Sequence, residues 1–163
     1  MAERYSVQVT KDYLVFSAAH FITFNGDVIE RLHGHNYRVW ATIEGPLDEN
    51  AYVFDFIALR DTLQEIVISL DHHMLLPTEH PLIKVEANER EVEVRFRELR
   101  WVFPRGDCVL LPVPNTTAEM LGRYIGRQLL DRLEQRTGNR PEVVRIEVDE
   151  CYGQLGICEL RGE

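Results

Sequence analysis

The chain has 163 residues, of which 45% are hydrophobic and 28% are charged, and its formal net charge is −9 at pH 7. This composition is typical of a soluble globular domain and excludes a disordered chain, a collagen-like repeat and a coiled coil. The acidic balance argues against a nucleic-acid-binding protein, which needs basic patches for the phosphate backbone. The length predicts a single domain, residues 1–163, with a hydrophobic core of its own.

The sequence contains no apolar run of the roughly 18 residues that a membrane-spanning helix needs. Its first twenty residues lack the basic, apolar and small-residue succession of a secretory signal. The three cysteines, Cys108, Cys151 and Cys158, form no CxxC pair. We therefore expect a reduced, cytoplasmic protein without a membrane partner.

The N-terminal part of the chain alternates between apolar and polar residues, which predicts strands. Residues 4–21 are expected to form one extended segment with a slip of phase at Lys11, and residues 37–44 a second strand. Between residues 57 and 70 the apolar spacing changes to that of a helix with one buried face.

A second helix is predicted over residues 117–136, where the apolar side chains again follow one stripe. Thr116 and Glu119 fit the capping box that begins such a helix. Strands are then expected over residues 143–148 and 155–160. This order of strands and helices predicts an α+β fold with an antiparallel sheet.

Residues 78–114 interrupt that order. Residues 91–97 alternate strictly, and the chain from Leu99 to Phe103 alternates in the opposite phase, so a bulge is expected near Glu98. The segment is interpreted as an inserted β-meander of about three strands. Its apolar face, which includes Val92, Val94 and Phe96, is expected to pack on its own subunit or on a neighbouring one.

Two histidines, His33 and His35, flank Gly34 at the start of a predicted strand. Because alternate residues of a strand point to the same face, both imidazoles can reach one metal ion. His20, at the end of the preceding strand, would supply a third neutral nitrogen. Three histidines form a ligand set of catalytic zinc, which keeps a fourth position open. The alternative is three unrelated histidines on the surface or in the core.

Further motifs resemble those of a known family; they are FSAAHF (16–21), LHGHNY (32–37), LDHH (70–73), NTTAE (115–119) and, more weakly, VDEC (148–151). In this order they resemble the 6-pyruvoyltetrahydropterin synthase family, which includes the 6-carboxytetrahydropterin synthases. The resemblance implies the tunnelling fold, or T-fold, in which two helices pack on one face of a four-stranded antiparallel sheet. It also implies a homohexamer of two stacked trimers, with pterin pockets between subunits.

The resemblance also assigns roles to individual residues. His20, His33 and His35 match the zinc ligands of the family. Asp71 and His72 match a catalytic pair, in which the carboxylate fixes the tautomer of the imidazole and raises its basicity. The alternative for Asp71 is an ordinary residue at the C-terminal turn of a helix.

Four further residues match the substrate pocket of the family. Glu150 corresponds to the carboxylate that accepts hydrogen bonds from the amino group and ring N–H of the pterin, and its alternative is an exposed charge at a strand end. Thr116, Thr117 and Glu119 line the same pocket by this resemblance, although the capping box already accounts for Glu119.

The chain departs from the family just before the HGH motif. Most members carry a catalytic cysteine there, at positions held here by Asp27 or Ile29, and no cysteine precedes Cys108. Glu30 stands three residues before His33 and resembles the glutamate of a subgroup that lacks the cysteine. That subgroup converts 7,8-dihydroneopterin triphosphate to 6-hydroxymethyl-7,8-dihydropterin for folate synthesis. A glutamate is ionised at neutral pH and can take a proton from a carbon that zinc has made acidic.

These observations predict a zinc-dependent lyase that acts on 7,8-dihydroneopterin triphosphate, with Glu30 as the base. One alternative is an enzyme that forms 6-carboxy- or 6-pyruvoyl-tetrahydropterin, of the queuosine or biopterin type. A second is a pterin- or purine-binding module without turnover, in which Glu30 is an ordinary loop charge. A third is a structural zinc protein without a small-molecule substrate.

Overall fold

The structure, a computed structural model, describes residues 1–162. Over this range the chain forms two helices, α1 (Phe56–Leu70) and α2 (Ala118–Thr137), and a short 3-10 turn at Arg105–Asp107. The strands are β1 (Tyr5–Val9), β2 (Val15–His20), β3 (Thr23–Phe24), β4 (Val28–Ile29), β5 (His33–Gly45), β6 (His73–Pro77), β7 (Lys84–Ala87), β8 (Glu91–Phe96), β9 (Leu99–Pro104), β10 (Cys108–Leu111), β11 (Val143–Cys151) and β12 (Gln154–Arg161).

The main sheet of the described chain has seven strands in the order β10-β6-β2-β5-β11-β12, with β1 also paired to β5. The α+β class is confirmed, but the expectation of four purely antiparallel strands is wrong. Strand β6 runs parallel to both β2 and β10. Parallel pairing needs long connections, which α1 and the insertion supply. Periodicity within a strand carries no information about such connections.

The expected single segment over residues 4–21 is two strands separated by a turn. The break falls at the predicted slip of phase, where the Leu14 N–H donates to the Lys11 carbonyl at 3.1 Å. Both pieces pair with β5: β2 faces its first half, and β1 faces its second half. One long strand thus aligns both N-terminal strands.

Both helices pack against the main sheet and form the larger core with side chains such as Phe16, Tyr37, Leu63, Leu121 and Ile146. Helix α1 begins at Asp55, whose carboxylate accepts the N–H groups of Ile57 and Ala58. Within residues 1–162, neither helix combines the length and the apolar character needed to cross a membrane.

The predicted capping box of α2 is wrong by one residue. Thr117 is the N-cap, and its hydroxyl accepts the Met120 N–H at 3.4 Å. Thr116 is fully buried, and its hydroxyl donates to the Phe21 carbonyl at 3.3 Å. Because that hydroxyl contacts the chain after β2, it does not cap the helix.

The insertion forms the predicted meander, an antiparallel sheet of β7, β8 and β9. Val92, Val94 and Phe96 are buried in a second core with Phe21, Met74 and Leu76, so the expected covered face is confirmed. The expected bulge near Glu98 is instead a two-residue turn, because Phe96 pairs directly with Leu99. Strand β6 lies between the two cores, since Leu75 belongs to the larger one.

Candidate active site

Strands β2 and β5 bring the three predicted histidines together at one end of the sheet. His20 pairs directly with His33, and His35 lies two residues further along β5 on the same face. The ring centroids are 4.9 Å apart for His20 and His33, 5.2 Å for His20 and His35, and 4.8 Å for His33 and His35. The prediction that strand alternation would group these imidazoles is confirmed.

Hydrogen bonds to backbone carbonyls fix the tautomers of two of these rings. The Nδ1 atom of His20 lies 2.8 Å from the Thr116 carbonyl oxygen, and that of His33 lies 2.7 Å from the Arg31 carbonyl oxygen. A carbonyl only accepts, so both Nδ1 atoms carry a proton, and in the neutral form of each ring the Nε2 atom keeps a lone pair. The Nε2 atoms of His20 and His35 are buried without a hydrogen-bond partner among residues 1–162.

The environment keeps His20 neutral. Its side chain is 1% exposed, and burial lowers its pKa to about 4. The nearby Tyr37 hydroxyl lies 3.3 Å from His20 Nδ1, and its pKa is raised by burial and by the charges of Glu150 and Glu30. A neutral imidazole with a free Nε2 is the form that binds a metal ion.

Glu150 joins the histidines from strand β11. Its Oε1 atom lies 3.0 Å from His35 Nε2. One ligand atom from each of His20, His33, His35 and Glu150 lies within 4.8 Å of the others, so this set can hold a metal ion. The resemblance had implied a pterin contact for Glu150 and gave no indication that it adjoins the histidines.

Glu30 lies at the exposed side of this cluster. It follows the β3–β4 hairpin, its backbone N–H donates to the Ile22 carbonyl at 2.9 Å, and its Oε2 atom is 3.8 Å from His33 Nε2. About a third of its side chain (34%) is exposed, so the carboxylate is accessible to a ligand. The insertion supports this hairpin through an ion pair between Arg97 and Asp27.

Asp71 and His72 form the predicted pair, with Asp71 Oδ2 2.8 Å from His72 Nδ1. The Ser17 backbone N–H, which donates to Asp71 Oδ1 at 2.7 Å, holds the pKa of Asp71 below its usual value, and His72 adds to this effect. His72 borders a depression that is also lined by Ser17, Ala19 and Gly34.

The depression opens on the face of the sheet opposite to the histidine cluster. Side chains of neighbouring strand residues point to opposite faces, and each strand residue that lines the depression is an odd number of positions from the histidines of its strand; these residues are Ser17 and Ala19 on β2 and Gly34 on β5. A single chain therefore does not bring the Asp71–His72 pair and the histidine cluster together.

The predicted substrate residues at the start of α2 differ in burial and in structural role. Thr116 is buried and supplies the carbonyl that orients His20. Thr117 caps the helix, and Glu119 is exposed in its first turn. The supporting role of Thr116 resides in its backbone, for which a sequence motif gives no signal.

His80, in the insertion, is a histidine to which the sequence assigned no catalytic or metal-binding role. Its Nε2 atom is 2.7 Å from Thr23 Oγ1, and its Nδ1 atom accepts the N–H groups of Leu82 and Ile83. Asn115 continues the contact, because its Nδ2 donates to the Thr23 carbonyl at 3.0 Å. The segment that follows His20 is thus tied to the insertion and to the turn before α2.

Comparisons with known proteins agree with this geometry. The family described as 6-pyruvoyl tetrahydropterin synthase matches residues 8–161. A Methanocaldococcus jannaschii protein named as a 6-carboxy-5,6,7,8-tetrahydropterin synthase is 31% identical over 146 residues, which is 89% of this chain and 88% of that protein.

Solved structures resemble the whole fold. The Plasmodium falciparum 6-pyruvoyl tetrahydropterin synthase matches with a TM-score of 0.88 and 29% identity, over 99% of this chain and 100% of that one. A Plasmodium vivax 6-pyruvoyltetrahydropterin synthase with a catalytic glutamate replaced by alanine matches over the same shares, with a TM-score of 0.87 and 26% identity. The chain is therefore an enzyme that belongs to the 6-pyruvoyl tetrahydropterin synthase family.

Proposed function

We propose that the protein is a zinc-dependent lyase that acts on 7,8-dihydroneopterin triphosphate and releases 6-hydroxymethyl-7,8-dihydropterin. The observation that carries this proposal is the position of Glu30, beside the histidine cluster of a chain that lacks the family's cysteine. A structural neighbour that covers the whole chain also has a glutamate as a catalytic residue. Folate synthesis would use such a product.

The donor set fits a zinc ion. Neutral imidazole nitrogens and a carboxylate oxygen are common zinc ligands, and the buried Nε2 atoms of His20 and His35 have no hydrogen-bond partner among residues 1–162. His20, His33 and His35 would hold the ion. When bound, zinc polarises the oxygen atoms of a substrate and makes a neighbouring C–H more acidic.

Glu30 would act as the general base. Its carboxylate reaches the exposed side of the cluster and can take a proton from the side chain of the pterin. Glu150 would hold the pterin ring, because a carboxylate accepts two parallel N–H groups of a planar heterocycle. Thr117 and Glu119 would border the same pocket beside the buried Thr116.

Asp71 and His72 would carry the second proton transfer from a neighbouring subunit. This assignment follows from their position on the opposite face of the sheet, together with the homohexamer and intersubunit pockets that the resemblance implies. The exposed His72 side chain, 83% accessible in the single chain, supports it. Light scattering should detect a hexamer at micromolar concentration, and a monomer would contradict this part of the proposal.

A second candidate, formation of 6-carboxytetrahydropterin, is favoured by the name of the Methanocaldococcus jannaschii relative. Both products keep only the first carbon of the substrate side chain, so the two candidates differ in the oxidation level of that carbon and of the pterin ring, and therefore in the mass of the product. The zinc-loaded protein should be incubated with 7,8-dihydroneopterin triphosphate and the products identified by mass spectrometry. Hydroxymethyl-dihydropterin is the expected product. A 6-carboxy-pterin would favour the second candidate, and a 6-pyruvoyl-pterin would favour an enzyme that forms 6-pyruvoyl-tetrahydropterin. Tight binding without turnover would indicate a pterin-binding module.

The Glu30→Gln variant tests the proposed base. Glutamine keeps the size of the side chain but removes the proton acceptor, so turnover should fall by about 10²–10⁴-fold. Zinc content and pterin affinity should stay close to those of the unsubstituted protein. Asp27→Asn, in the same hairpin, is the matched control and should retain most of the turnover. Unchanged turnover in Glu30→Gln would exclude Glu30 as the base.

A further inference from the structure

We infer that Glu150 is the fourth protein ligand of the metal ion while the site is free of pterin, and that the pterin removes this carboxylate from the ion when it binds. The inference rests on the proposed zinc site and adds a resting state to it. It gives one carboxylate two alternating partners. The ion would then have no open coordination position for water before the substrate arrives.

The contact between Glu150 and His35 has the spacing of two ligands that share one ion. Zinc–ligand distances of about 2.0–2.1 Å in a tetrahedron place neighbouring ligand atoms about 3.3 Å apart. The Glu150 Oε1 atom lies 3.0 Å from His35 Nε2. Despite this short distance, His35 Nε2 has no hydrogen-bond partner within residues 1–162.

The position of Glu150 on its strand explains the contact. Val144, Ile146 and Val148 are the buried apolar residues of β11, and Glu150 continues this alternate series onto the face that carries the histidines. Pairing between β11 and β12 is irregular between Asp149 and Cys151, and Asp149 pairs with Arg38 of β5. Glu150 therefore lies beside the end of β5 that carries His35.

The cluster also holds two carboxylates beside its histidines. Glu30 Oε2 lies 3.8 Å from His33 Nε2, and Glu150 Oε1 lies 3.0 Å from His35 Nε2. A divalent ion ligated by Glu150 would place positive charge next to both carboxylates.

Accessibility makes the exchange of partners feasible. The Glu150 side chain is 30% exposed and that of His35 is 19% exposed, whereas His20 is almost fully buried. A planar ligand can therefore approach Glu150 without displacing His20. Two N–H groups on one ring would compete with the ion for the same carboxylate.

The test uses the metal-free protein titrated with Zn²⁺ and, in parallel, with Co²⁺, whose absorption spectrum depends on the number and geometry of its ligands. Glu150→Gln is compared with Glu147→Gln, a matched control on the same strand whose residue belongs to the other alternate series of β11. His33→Ala reports on the zinc site itself. Circular dichroism verifies that each variant is folded.

Glu150→Gln should weaken Zn²⁺ binding by more than the roughly 10–100-fold that loss of an outer hydrogen-bonding partner costs. It should also change the Co²⁺ spectrum, while Glu147→Gln matches the unsubstituted protein. Adding neopterin to the Co²⁺-loaded unsubstituted protein should shift the spectrum as well, because the carboxylate leaves the ion. This shift should be absent in Glu150→Gln.

Three results would overturn the inference. Unchanged Zn²⁺ affinity and an unchanged Co²⁺ spectrum in Glu150→Gln would leave Glu150 as a pterin contact only. A smaller loss of affinity with an unchanged spectrum would make it an outer hydrogen-bonding partner. If the unsubstituted protein binds no metal, or if His33→Ala binds it equally well, the proposed zinc site itself fails.

Discussion

His20 and His80 are both buried, with 1% and 8% of their surface exposed, but their ring nitrogens have different partners. In His80 both nitrogens bond within the chain: Nδ1 accepts two backbone N–H groups at 2.9 and 3.0 Å, and Nε2 bonds to Thr23. In His20 only Nδ1 is bonded in this way, to the Thr116 carbonyl, and Nε2 has no partner among the described residues. The comparison separates a histidine that stabilises a loop from one that is available to a ligand.

The largest effect is expected from His33→Ala, which removes one member of the cluster. Zinc content should fall from one ion per chain to near zero, because two histidines remain of the proposed three. The fold should persist, since β2 and β5 keep their backbone pairing and the His33 side chain is 37% exposed. Metal analysis and thermal unfolding measure the two effects.

The control for this experiment is His72→Ala, which removes a mostly exposed imidazole from the opposite face and should leave the zinc content unchanged. Chelation of the unsubstituted protein, like His33→Ala, should remove the metal without unfolding the protein. Unfolding on chelation would instead favour a structural zinc protein.

His80→Ala should show the reverse pattern: it should lower the stability of the protein and change the zinc content little. It leaves the backbone N–H groups of Leu82 and Ile83 without their acceptor, which should lower the free energy of unfolding by about 2–4 kcal/mol. Urea unfolding measures this change. His80→Asn places an amide oxygen where Nδ1 was and should recover part of the loss. If His80→Ala were as stable as the unsubstituted protein, the structural role of His80 would be wrong.

A smaller effect is expected from pH, because both buried histidines are kept neutral in the folded protein. Burial lowers the pKa of His20 to about 4 and that of His80 below its ordinary value. The unfolded chain therefore binds more protons once the pH falls below about 6.5, so the metal-free protein loses stability between that pH and the folded-state pKa values.

At about pH 5, His20 alone should account for about 2 kcal/mol of this loss. Urea unfolding of the metal-free protein at about pH 7, 6 and 5 gives the slope. His80→Asn removes one of the two histidines and should make the slope shallower. A free energy of unfolding that did not change between these pH values would contradict the proposed neutral state of both rings.

The sequence by itself determined the elements whose pattern is local. The helical spacing before Leu70 and the strict alternation that includes Val92 and Val94 each reflect one buried face, and both predictions are confirmed. The same reasoning placed His33 and His35 on one face, since alternation along a strand is a property of the backbone. The motifs around them also indicated the family.

Tertiary structure alone decided which distant residues meet. The parallel pairing of β6 depends on the path of the connecting segments, and no periodicity within β6 records that path. Asp71 and His72 fall on the opposite face from His20 because α1 ends beside Ser17. Glu150 reaches His35 because two strands far apart in sequence are neighbours in the sheet. Residue spacing predicts side-chain direction within one strand, whereas contacts between strands depend on pairing and register, which are set by the packing of the whole chain.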